Sequence, residues 1–165
     1  MTTLNRSLLL SICMLIMIMP AMAVTQSEID PEVRDAIQKG DITYLSNWYN
    51  NGGDINELTR VGNTAVFLAS RIGDKPMVAF LLSHSSDVNI QNKAGATALM
   101  VAAKYVHQHV VDRLCEHGAD PTIRNNSGVT ASRFALAYDH YELSQKLQNA
   151  MLEQYRKGKA ASRKS

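Results

Sequence analysis

The residues of this 165-residue chain that could hold a metal or haem, or carry catalysis, are its histidines, cysteines, tyrosines and methionines. The five histidines are His84, His107, His109, His117 and His140. A zinc ion needs ligands converging within about 2 Å of it. His107 and His109 are two apart, a spacing that sends them to different sides of a helix. The two cysteines, Cys13 and Cys115, build neither a disulfide framework nor a Cys-rich zinc site. No serine stands in a G-x-S-x-G turn, and no glycine-rich loop is shaped to cradle phosphate. Five of the eight methionines (Met1, Met14, Met17, Met19 and Met22) crowd the first stretch of the chain, so they form no redox or metal cluster. A haem or metal carrier, or a small enzyme using His and Tyr, therefore stays only as an alternative reading.

That first stretch reads as an address. Arg6 is followed by the apolar run Leu8–Met19, then by Pro20 and the small-residue pattern Ala21-Met22-Ala23. This is the layout of a secretory signal peptide over residues 1–23, with cleavage after Ala23. The run is short for a bilayer span of about 20 residues, and an uncleaved leader would instead make a membrane-tethered scaffold. Cleavage leaves no integral membrane span and strands Cys115 without a partner, so the fold must hold without a disulfide. The short leader favours a periplasmic or secreted protein of bacteria.

Composition narrows the rest. Seventeen Lys and Arg against fifteen Asp and Glu give a formal charge of +2, which argues against a nucleic-acid binder. With 45% hydrophobic residues the bulk of the chain can build a core.

A period of 33 organises that bulk. Gly62-Asn63-Thr64-Ala65 returns as Gly95-Ala96-Thr97-Ala98 and Gly128-Val129-Thr130-Ala131. Asp54-Ile55-Asn56 returns as Asp87-Val88-Asn89 and Asp120-Pro121-Thr122, and Gly40-Asp41 as Gly73-Asp74. Ala36, Ala69, Ala102 and Ala135 hold one register; Trp48, Leu81, Leu114 and Leu147 hold another. Each copy reads turn, short helix, turn, longer helix. Thr64 and Thr97 are placed to cap first helices, and Asp30-Pro31 to open the first copy. Trp48 is expected in the core beside its three leucines. Cys115, in the register of Tyr49 and Leu82, is expected as a buried, inert thiol. His84 and His117 share a register too, which sets them about one repeat apart, too far to share a zinc ion.

With its Thr97-Ala98-Leu99-Met100-Val101-Ala102-Ala103 and His117-Gly118-Ala119-Asp120, this pattern resembles the ankyrin repeat family. The resemblance implies an all-α repeat solenoid: about four helix-turn-helix units joined by β-turn hairpins, copies 30–60, 61–93, 94–126 and 127–155 within a domain 24–155. Ala65, Ala98 and Ala131 replace the family's proline, and Phe67, Met100 and Arg133 its first-helix histidine. Polar Ser132, Ser144 and Gln148 in copy four suit a capping repeat. The family binds proteins through hairpin tips and the adjacent faces of the short helices. Here that implies Lys39, Arg60, Arg71, Lys93, Lys104, Tyr105, Arg124 and Tyr138, six of them basic and none acidic. Over residues 24–155 acids outnumber bases, fifteen to eleven, so a basic concave face on an acidic body implies a partner protein with an acidic surface. No cofactor, metal or catalysis is expected, and the protein is expected to be a monomer. Resemblance to secreted bacterial ankyrin proteins offers three settings: support of a periplasmic catalase, immunity against a delivered toxin, or action as an effector. Residues 156–165 carry five Lys and Arg and no acid, and are expected to form a disordered tail.

Overall fold

A computed structural model describes residues 29–84 and 86–161; the leader 1–23 lies outside them. The described residues form helices and turns, without strands. In chain order the helices are α1 (Pro31–Lys39), α2 (Ile42–Asn50), α3 (Ala65–Ile72), α4 (Lys75–Ser83), α5 (Ala98–Lys104), α6 (Gln108–Glu116), α7 (Ala131–Ala137) and α8 (Tyr141–Ala161). They pair as four helix-turn-helix units. The first helices α1, α3, α5 and α7 pack on one another along the stack, and the second helices touch more sparsely. The buried alanine register explains this, because Ala36, Ala69, Ala102 and Ala135 let the first helices approach closely.

Local chemistry starts several of the helices where the sequence places them. Asp30 accepts from the Glu32 amide at 2.9 Å with Pro31 at the first helical position. The Thr64 and Thr97 hydroxyls accept from the Phe67 and Met100 amides. Thr130 departs from them: it makes no cap bond, and its hydroxyl lies 3.0 Å from that of Ser132.

The core runs through all four units. Leu81, Leu114 and Leu147 are sealed from solvent, each contributing about 2 kcal/mol by burial. Trp48 is not sealed like them. It is half-buried, its ring laid over Gly53, while Leu45 is the enclosed residue of α2. An end position alone does not do this, since Leu147 of the other end copy is sealed; among the described residues the first copy has a neighbouring repeat on one side only, and its indole is larger than a leucine. Copy four also departs from expectation. Ser132 and Ser144 are buried rather than facing solvent, and of the three polar replacements Gln148 alone is exposed. Finally, α8 runs through Ala161, so the first part of the expected tail continues a helix.

Candidate protein-binding face

The eight residues singled out in the sequence fall into two rows with Lys39 at one end. Arg60, Lys93 and Arg124 belong to the three hairpins. Each hairpin closes on itself through a backbone bond: Thr59 to Asn63, Asn92 to Ala96 and Asn125 to Val129, all at 3.0 Å. The Asn92 and Asn125 side chains each accept two further amides inside their own loop, which fixes the tip. Neighbouring tips are then stitched together. The Lys93 amide donates to Val61 and the Asn126 amide to Ala94, while the Asn126 side chain donates to the Lys93 carbonyl. Gln91 donates to the Arg124 carbonyl in the same way. The basic side chains of this row thus project from a rigid ladder of turns, all three exposed. Arg124 also donates to the carbonyl of Gly128 at 2.9 Å.

The second row lies at the C-terminal ends of the first helices. Arg71 and Lys104 share one register; Lys39, Ile72, Tyr105 and Tyr138 share the next. The Lys104 ammonium stands over two rings, 5.6 Å from the Tyr105 centroid and 5.8 Å from that of Tyr138. This cation–π pairing links the two tyrosines, which remain about half exposed. Arg71 joins the group through its carbonyl, which faces His107 Nε2 at 3.1 Å, and the His107 ring stacks 6.3 Å from Tyr105. Lys39 is different. Asp35, one turn back, accepts from it at 2.6 Å and raises its pKa above the ordinary lysine value, so its charge is shared with a carboxylate.

Four of the five histidines bond backbone carbonyls. His107 precedes α6 instead of lying within it, so His107 and His109 reach the same loop, at the carbonyls of Arg71 and Gly73. The spacing argument for opposite sides fails because a helical period does not apply before the helix begins. His84 and His117 each bond a carbonyl of their own preceding helix, those of Phe80 and Arg113. Among the described residues no three His, Cys, Asp or Glu side chains gather where a metal could sit. Cys115 is part-buried; desolvation, with the nearby Asp112 charge, pushes its thiol up and keeps it protonated at neutral pH. A groove of about 520 Å³ lies between the second helices α4 and α6, with Val78, Ala79, His109 and Val110 in its wall, but it contains none of the eight residues.

Sequence reasoning missed Val106 and Leu136, both apolar and exposed. Val106 has φ +61 in the register of Gly40 and Gly73, and that register was the available signal. Among the described residues no helix is long and apolar enough to cross a membrane. A family model described as ankyrin repeats (3 copies) matches residues 34–125 and 67–153. No curated protein matches the chain.

Proposed function

The chain belongs to the ankyrin repeat family, whose repeats are generally protein–protein interaction modules, and from that premise we propose that it is a non-catalytic binding module docking an acidic partner through its two basic rows. The Lys104 ammonium carries this reading. It is half-buried between two exposed tyrosines and has no carboxylate partner among the described residues. A cation set against exposed aromatic rings is the composition of an interface anchor, and an anion on the partner would complete it. The leader read at residues 1–23 supports the bacterial periplasm as the place where this happens, with the protein acting as a monomer. Catalase support and toxin immunity are then the settings to test first, and both rest on family analogy.

The test is a pull-down from periplasmic extract followed by a titration of the captured partner at two salt concentrations. Association should slow as salt rises, because screening shortens the reach of surface charge to about 8 Å at physiological ionic strength. Arg71→Glu with Lys104→Glu should weaken capture without lowering the melting temperature. Charge reversal on the second helices is the control. Glu142 serves there and Asp112 does not, because Asp112 is paired with Lys146. Capture that survives the Arg71/Lys104 pair and is lost on Glu142→Lys would place binding on the other side of the stack.

A further inference from the structure

Four turns in this stack join a first helix to a second, and all four use a left-handed residue. Gly40 and Gly73 supply it in copies one and two, with φ of 73° and 82°. Val106 and Asp139 supply it in copies three and four, at 61° and 62°. Aspartate tolerates this conformation; valine does not, because the second branch on its Cβ adds to the crowding that every L-residue meets there. The strain is not offset by burial, since Val106 is 41% exposed. Such a residue makes the stack less stable than glycine would, and strain of this kind gathers at functional sites.

Its neighbours share the same anomaly. Ile72 is 41% exposed, Tyr105 47% and Tyr138 48%. Tyr105 precedes Val106 in the chain, Lys104 bridges the two tyrosine rings, and His107 ties Tyr105 to the carbonyl of Arg71, the residue before Ile72. Exposed apolar side chains linked in this way are costly to keep in water. Arg71 and Lys104 flank them, and neither forms an ion pair among the described residues.

We infer that Ile72, Tyr105, Val106 and Tyr138 form the apolar anchor of the binding face, and that its occupant is a protein segment with a bulky apolar residue flanked by carboxylates. This rests on the reading of the chain as a protein-binding module and adds where the affinity lies and what chemistry recognises it. The apolar residue packs on Val106 and the tyrosines; the carboxylates meet Lys104 and Arg71 across a surface from which water is displaced. The hairpin row contributes attraction at longer range and little of the residence time.

The probe is a displayed library of random twelve-residue peptides selected on the purified protein, with the best sequence then synthesised and titrated. Enriched peptides should carry an aromatic or aliphatic residue beside Asp or Glu. Tyr105→Ala should weaken the chosen peptide by about 30-fold, the scale of an interface hot spot. Val106→Gly should weaken it by about fivefold and at the same time raise the melting temperature by about 3 °C, since glycine relieves the left-handed strain. A merely structural valine would show the second effect without the first. If Val106→Gly and Tyr105→Ala leave affinity unchanged while Lys93→Glu with Arg124→Glu abolishes it, binding lies at the hairpin tips and the anchor is refuted, though the binding reading stands. If the enriched peptides lack carboxylates, or none is enriched, the acidic-partner reading falls with it. A lower melting temperature for Val106→Gly refutes the strain argument itself.

Discussion

The turn of copy two and the turn of copy three have the same backbone shape and different chemistry. In copy two, Gly73 takes the left-handed position and Asp74 caps α4 by accepting from the Met77 amide at 2.9 Å. In copy three, Val106 takes that position and His107 makes no side-chain cap for α6. His107 instead reaches back to the Arg71 carbonyl, with its ring against the α-carbon of Gly73. Copy one repeats the pattern of copy two, with Asp41 accepting from the Tyr44 amide. The first two turns therefore hold their own helices. The third gives up local stability and places an exposed valine and tyrosine at the surface beside the half-buried Lys104. Within a repeat stack the copies need not be equally stable, because neighbours share the load.

The largest effect should come from Gly73→Val, which gives copy two the residue of copy three. A Cβ there would lie 2.5 Å from the His107 ring and would be held at φ +82. Left-handed strain and overpacking together should cost about 3 kcal/mol, read as a lowered midpoint in urea denaturation. Removing the ring should relieve part of this. In a His107→Ala background the same substitution should cost about 1–2 kcal/mol less, a coupling that a double-mutant cycle measures. Gly40→Val should be milder, since only the terminal Oδ2 of Asp74 stands in its way, at 2.9 Å. Equal costs at 40 and 73 would mean that the histidine ring is not what demands glycine.

Next in size is the cap. Asp74→Ala should cost about 1 kcal/mol in thermal or urea unfolding, the usual loss for an N-cap acceptor. The reciprocal change is smaller. His107 has φ −78 and ψ 68, close to the −79 and 82 of Asp41, so His107→Asp should gain a cap of similar worth. It also loses the ring bond to Arg71, about 0.5–1 kcal/mol, so stability should rise by only a few tenths of a kcal/mol. A loss above about 1 kcal/mol would show that the bridge between copies outweighs the cap.

These contrasts also mark what was legible beforehand. The stack was, because the apolar and threonine registers repeat at 33 and each has a direct physical job. The asymmetry between turns was not. Gly40-Asp41 and Gly73-Asp74 announce a left-handed turn followed by a cap, whereas Val106-His107 and Asp139-His140 share that register without resembling it. Residue type hid a backbone shape that the neighbouring helices impose. Trp48 misled for the opposite reason: its register matches three buried leucines, but an end copy that encloses a leucine, as copy four encloses Leu147, leaves the larger indole half-buried. The hairpin and helix-end positions of the basic residues were readable from the repeat. That Lys39 is held by Asp35, and that Lys104 sits between two rings, depended on rotamers that no spacing reveals.

The smallest expected effect is at Asp139, and it separates the two halves of the strain argument. Asp139 shares the left-handed backbone of Val106, with φ 62 against 61. If backbone shape alone set the cost, glycine would stabilise both sites equally. Aspartate, however, has no second substituent on Cβ and is among the residues that visit this region most readily. It also accepts a hydrogen bond from the Tyr141 hydroxyl at 3.2 Å, an exposed contact worth a fraction of a kcal/mol that glycine would lose. Glycine further gives the unfolded chain more freedom, which opposes any gain. Asp139→Gly should therefore leave the melting temperature within about 1 °C of the parent, against the clear rise expected for Val106→Gly. Equal rises at both positions would place the strain in the turn itself and remove the reason to single out valine. A rise at 106 with none at 139 would tie it to the branched side chain.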